Sequence, residues 1–131
     1  MNRQLTMLIV DDMEVERISF AEIFKDEYQI LEAEDGKQAM EQLEQQKVHI
    51  VLLDLCMPVM DGFEATQRIR ALEQQENSQP VPIVALTAHA FEHIKQQCFD
   101  AGMDEHLSKP FDQAQLGQLL QKFLVDRLGK S

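Results

Sequence analysis

Five short runs, Leu5 to Val10, Gln29 to Ala33, Ile50 to Leu53, Pro82 to Thr87 and Glu105 to Ser108, are separated by stretches whose apolar residues recur at helical spacing. Strand-length runs alternating with helix-length ones predict βαβ units and a parallel sheet covered by helices. The third run constrains most. Ile50, Val51, Leu52 and Leu53 are apolar without alternation, the pattern of a strand buried on both faces, and the run ends in Asp54 ahead of Leu55, Cys56, Met57 and Pro58. Ligands of open parallel sheets bind beyond the carboxyl ends of the strands, so a carboxylate delivered there is placed for chemistry. Taken alone, Asp54 reads more simply as a turn former or a helix N-cap.

Val15, Ile18, Ala21 and Phe24 suit one face of a first helix, and Ala39, Met40 and Leu43 suit a second. Phe63, Ala65, Ile69 and Leu72 mark a third helix that fades in the segment Glu73 to Pro80. Ala90, Ile94, Cys98 and Ala101 mark a fourth, which Gly102 should close as its C′ residue. Asp112 with Gln115 resembles a capping box ahead of Leu116, Leu119, Leu120, Phe123 and Leu124, the fifth and clearest helical stripe. At 131 residues the chain is read as one domain, residues 1–131, with its core over about 5–127.

The 44% hydrophobic fraction supports a globular fold, and 23 acidic against 12 basic residues give a net charge of −11. That charge repels nucleic-acid phosphates and anionic membranes and favours cations and basic protein surfaces. Cys56 and Cys98 form no C-x-x-C pair and no disulfide framework, which points to a reducing compartment. No run is long enough to span a membrane, and the start reads as a first strand instead of a signal peptide, so a cytoplasmic location is expected.

In a (βα)₅ arrangement every strand-to-helix loop lies on one edge of the sheet. Asp11 and Asp12 then end strand one, Asp54 strand three, Thr87 strand four and Lys109 strand five. Each has a plainer role open to it: Asp12 as a helix cap, Thr87 as a β-branched strand residue, Lys109 as a surface lysine. Their joint arrival on one rim favours chemistry. Clustered carboxylates repel unless a cation neutralises them, and all-oxygen ligation suits Mg²⁺. A carboxylate beside a metal, a lysine and a threonine can act as a nucleophile toward phosphorus. Asp54 is the expected nucleophile, Asp11 and Asp12 the metal ligands, and Lys109 and Thr87 the donors to phosphoryl oxygens.

IVDD (Ile9 to Asp12), LLDLCMPVMDG (Leu52 to Gly62), IVALTA (Ile83 to Ala88) and LSKP (Leu107 to Pro110) resemble, in order and spacing, the receiver domains of two-component response regulators. The wording around them is most similar to receivers of hybrid sensor histidine kinases and phosphorelays. The resemblance implies a flavodoxin-like three-layer α/β sandwich with a five-stranded parallel sheet of order 2-1-3-4-5. It implies that Asp54 accepts a phosphoryl group from phosphohistidine, with Asp11, Asp12, Asp54 and the Cys56 backbone carbonyl around Mg²⁺. Thr87 and His106 would form the switch. His106 departs from the Tyr or Phe commonest there, which leaves it as a small aromatic rotor, a partner-surface group or a pH-sensitive element. Cys56 and His89 would tune the lifetime of the phosphorylated state. Pro110, after a cis Lys109–Pro110 bond, and Gly62, at the start of helix three, would be structural.

The partners implied are a kinase's phosphohistidine domain and a histidine-containing phosphotransfer domain, docking near helix one, where Ile18 or Phe20 could anchor them although Ile18 also suits the core. Neither nucleic acid nor membrane is expected as a partner, and the domain is expected to be a monomer or weak dimer. It reads as a phosphoryl-accepting signalling domain and not an enzyme, one that could dephosphorylate itself and could be the receiver part of a larger hybrid kinase. A Mg²⁺-dependent aspartyl phosphohydrolase is the nearest alternative, but its D-x-D pair is absent, since Asp54 is followed by Leu55 and Cys56. A flavodoxin-like electron carrier needs a hydroxyl- and glycine-rich loop where this chain has DDMEVER. A docking module without phosphorylation would have no use for the full set of site residues.

Overall fold

The computed structural model describes residues 5–26, 28–54, 62–77, 80–87, 92–108 and 113–128. Strands and helices alternate as β1 (Leu5–Val10), α1 (Glu14–Phe24), β2 (Tyr28–Ala33), α2 (Gly36–Gln45), β3 (Ile50–Asp54), α3 (Gly62–Glu76), β4 (Ile83–Thr87), α4 (Glu92–Ala101), β5 (Glu105–Ser108) and α5 (Gln113–Leu128). The strands form one parallel sheet in the order β2-β1-β3-β4-β5, as the resemblance implies.

β3 and β4 are buried at every position, which explains their unbroken apolar runs. Side chains alternate between the two faces of the sheet. Met7, Ile9, Ile50, Leu52, Val84 and Leu86 form one core layer with Phe20 and Phe24 of α1 and with Leu119 and Phe123 of α5. Leu8, Val10, Val51, Leu53, Ile83 and Ala85 form the other, with Ala39 of α2, Ala65 and Ile69 of α3 and Cys98 of α4. Each Val, Leu, Ile, Met or Phe side chain that is fully buried among these contributes about 1.5–3 kcal/mol, so the two layers are the main stabilising element.

One helix departs from expectation. In α1 the buried pair is Phe20 and Phe24, one turn apart, while Val15 is 74% and Ile18 48% exposed. Burying two phenyl rings removes more apolar surface from water than burying Val15 and Ile18, and this sets the rotation of the helix. The expectation that Ile18 suits the core is therefore corrected, as is a docking role for Phe20. α3 ends at Glu76, inside the segment where the third helix was expected to fade, and Glu73 in its last turn has a partner in the chain ahead of β4: its Oε2 accepts the Val81 N–H at 2.6 Å.

Gly102 closes α4 as expected. Its φ is +108°, the Gly102 N–H donates to the Phe99 carbonyl and the Met103 N–H to the Cys98 carbonyl, the two bonds of a Schellman motif. Asp112, half of the expected capping box, lies outside the described residues.

Candidate functional site

The carboxyl edge of the sheet gathers the acidic residues. Val10 pairs with Leu53, so Asp11, directly after β1, stands beside Asp54, the last residue of β3. Carboxylate oxygens of Asp11, Asp12 and Asp54 lie within 4.8 Å of one another. Asp11 is fully buried, Asp54 is 7% exposed, and Asp12 opens to solvent. Two buried carboxylates with an exposed third make a site closed on the protein side and open on the other.

Hydrogen bonds hold Asp11. Its N–H donates to the Ala33 carbonyl at 3.1 Å, which extends the β1–β2 ladder by one residue, and its Oδ1 accepts the Met13 N–H at 2.9 Å. Asp12 does not cap α1: Met13 is the N-cap and makes no side-chain cap bond. Arg17 donates from Nη1 to the Asp11 carbonyl at 2.8 Å and from Nε to Glu32 Oε1 at 3.2 Å, tying α1 to the end of β1 and to β2. Arg17 escaped the sequence-based reading. A cation in the first turn of a helix, where the backbone dipole disfavours it, was the available signal.

Like charges at this spacing are costly. Two unit charges about 4 Å apart interact by about 4 kcal/mol at an effective dielectric of about 20, so three such carboxylates favour a cation among them. Oxygen-only donors, two of them buried and rigid, fit a small hard ion such as Mg²⁺.

Thr87 ends β4 and is buried; the pairing of Asp54 with Leu86 puts it one residue further along the same rim. His106 lies in β5 opposite Ala85, and Ser108 lies opposite Thr87, so Thr87 and His106 share the face of the sheet covered by α4. The His106 ring meets Phe99 of α4 edge-on, with centroids 6.3 Å apart, and its Nδ1 is 3.4 Å from Glu105 Oε1. Gly62 is buried at the first turn of α3, where its carbonyl accepts the Thr66 hydroxyl at 2.8 Å. Cys56, His89, Lys109 and Pro110 lie outside the described residues.

A parallel sheet of this order defines the flavodoxin-like class of α/β domains, and the acidic cluster and buried threonine lie along its carboxyl edge, where such sheets bind their ligands. Residues 7–121 match the response regulator receiver domain family, and the chain belongs to that family. It is a receiver of two-component and phosphorelay signalling. Among its relatives, the sensor protein GacS of Pseudomonas syringae pv. syringae is 37% identical over 123 residues, covering 93% of this chain and 14% of that protein. The chain thus spans about one seventh of that relative's length. Among solved structures, the receiver of sensor histidine kinase PA1611 from Pseudomonas aeruginosa PAO1, with magnesium coordinated in its active-site cleft, has a TM-score of 0.82 at 37% identity, over 92% of this chain and 98% of that one. The receiver of Ssk1 in complex with the histidine phosphotransfer protein Ypd1 of Saccharomyces cerevisiae has a TM-score of 0.86 at 27% identity, over 92% and 88%. A sensor kinase that carries its own receiver is a hybrid kinase, and these likenesses agree with the resemblance in the motifs. Among the described residues no helix is long and apolar enough to cross a membrane.

Proposed function

We propose that Asp54 is the phosphoryl acceptor of this receiver and that the donor is a phosphohistidine. A carboxylate oxygen of Asp54 attacks phosphorus as the phosphorus–nitrogen bond breaks, and the imidazole, protonated on its other nitrogen, keeps the bonding pair and leaves neutral. Asp11, Asp12, Asp54 and the Cys56 carbonyl would hold Mg²⁺, which when bound supplies positive charge to the transferring phosphoryl oxygens. The Thr87 hydroxyl donates to one phosphoryl oxygen and Lys109 pairs with another. Thr87 and His106 form the switch, Cys56 and His89 set the lifetime of the acyl phosphate, and Gly62 and Pro110 shape the loops around it. The observation that carries this proposal is the carboxylate cluster, with oxygens of three aspartates from two adjacent strand ends within 4.8 Å.

The partners are a kinase's phosphohistidine domain and a histidine phosphotransfer domain, as Ypd1 is for the Ssk1 receiver. Met13, Val15 and Ile18 supply exposed apolar surface at the start of α1, next to Asp12, where such a partner would seat. The domain acts in the cytoplasm as a monomer or weak dimer, as part of a hybrid kinase or beside one.

Intact mass after incubation with acetyl phosphate tests the chemistry, with Mg²⁺ or EDTA, on the native chain and on Asp54→Ala. One added phosphoryl group requiring both Mg²⁺ and Asp54 is expected. Labelling that persists in Asp54→Ala would refute the assignment, and so would failure to label from a phosphohistidine donor.

A further inference from the structure

The opposite edge of the sheet carries a polar clasp centred on Arg70 of α3. Its Nε donates to the Gly102 carbonyl at 2.9 Å, Nη1 to the Val81 carbonyl at 2.9 Å and to Glu73 Oε1 at 2.8 Å, and Nη2 to Asp104 Oδ2 at 2.8 Å. Both carboxylates then reach backbone. Glu73 Oε2 accepts the Val81 N–H, Asp104 Oδ2 accepts the Ile83 N–H at 2.8 Å, and the Asp104 N–H donates to the Ile83 carbonyl at 3.0 Å. One guanidinium therefore fastens the start of β4, the last turn of α4 and the approach to β5 to a single helix. Both acidic partners are shared between Arg70 and backbone N–H groups, so the arrangement is a connected network and not a set of surface ion pairs.

The clasp sits at the start of β4, at the carboxyl end of α4 and just ahead of β5, whereas Thr87 ends β4 on the opposite edge of the sheet. Thr87 stands four residues beyond Ile83, about 13 Å away at about 3.3 Å per residue. His106 follows Asp104 by two residues and lies opposite Ala85, midway along β4. β4 is laddered to β3 along its length, whereas β5 is the edge strand paired with β4, and Arg70 ties the approach to β5 and the end of α4 to α3. With that tie in place a shift at the far end of β4 moves the middle of β4 against β5, whereas without it β5 and α4 can follow β4 and the surroundings of His106 change less.

We propose that Arg70 is a positioning residue of the phosphorylation switch: by anchoring β4, β5 and α4 to α3 on the edge remote from Asp54, it converts displacement of Thr87 into a change around His106. This rests on the proposed roles of Asp54, Thr87 and His106. It assigns to Arg70 a transmitting function that needs no contact with the phosphoryl group.

The test follows the imidazole resonances of His106 in the full chain by NMR, before and after beryllofluoride, a phosphoryl mimic, is added with Mg²⁺. The native chain is compared with Arg70→Met, Arg70→Lys and Glu73→Gln. In Arg70→Met the mimic should bind Asp54 within about twofold of native, while the His106 displacement falls to less than about half, with partial recovery in Arg70→Lys. Loss of stability alone would not separate binding from displacement in this way. A native-sized displacement in Arg70→Met overturns the inference and leaves Arg70 a structural staple. Should Arg70→Met fail to fold, Glu73→Gln decides, with a reduced displacement expected and a native-sized one overturning the inference. A native chain that binds the mimic without moving His106 refutes the switch assignment itself, and the role of Arg70 with it.

Discussion

Asp11 Oδ1 accepts the Met13 N–H at 2.9 Å, a bond across two residues that fixes the buried carboxylate against the rim of the sheet. The position is thus set by the backbone before any cation arrives. Asp11→Asn keeps an oxygen acceptor for Met13 but removes one negative charge from the cluster. Without Mg²⁺ this variant should unfold at a higher temperature than the native chain, because repulsion is relieved. Adding Mg²⁺ should reverse the order. A native chain saturated at about 100 times its dissociation constant gains about 2.7 kcal/mol, and the variant should gain far less. Thermal unfolding with Mg²⁺ and with EDTA measures both; equal responses to Mg²⁺ would exclude Asp11 from the metal site.

Val15 and Ile18 are apolar, exposed and one turn apart on α1. Val15→Lys should leave stability within about 0.5 kcal/mol, as surface changes usually do. Transfer from a histidine phosphotransfer domain should slow about tenfold, equivalent to about 1.4 kcal/mol, while labelling by acetyl phosphate stays unchanged. Stopped-flow or gel-based transfer assays with both donors make the comparison. Equal slowing with both would place the defect in the chemistry instead of in docking.

Gly102 has φ of +108°, and a Cβ there would lie 3.0 Å from Arg70 Cγ. Gly102→Ala is expected to cost about 1–3 kcal/mol from backbone strain, read as a lower urea midpoint. The arginine stem can shift by a few tenths of an ångström; the backbone angle cannot be relieved without opening the Schellman turn.

Cys98 is buried in the α4 side of the core, and loss of hydration pushes its thiol above its ordinary value of 9.0. The unfolded chain therefore releases this proton first as the solution is made alkaline. The contribution of Cys98 to stability is complete below about pH 9 and is lost as pH climbs toward the raised folded value. Two outcomes are expected: the urea midpoint falls between about pH 8 and 10 less steeply in Cys98→Ala, and peptide mapping finds Cys98 alkylated only when the chain opens.

Strand positions were legible in the sequence because β1, β3 and β4 lie between two helix layers and leave no polar face to confuse the pattern. Asp11, Asp12, Asp54 and Thr87 were legible for the same reason, as the first polar residues after those runs or the last residue within one. The rotation of α1 was not. Val15, Ile18, Ala21 and Phe24 follow helical spacing as well as Phe20 and Phe24 do, and an exposed apolar patch is indistinguishable from a buried one until ring size decides. Arg17 and Arg70 were missed because both bond backbone carbonyls, which leave no mark in the amino-acid letters, and because Arg70 also bonds Asp104, thirty-four residues away.

Asp54 follows four strand residues whose side chains point alternately to the two core layers, so its aim is counted from Ile50. Substitutions within Ile50–Leu53 change volume by degrees. Loss or gain of a single residue there would transpose the apolar side chains between layers and turn the carboxylate to the wrong side of the sheet. Point substitutions in this strand should thus be inherited as graded defects, whereas a one-codon deletion or insertion should act as a complete loss, even where every letter of the site survives.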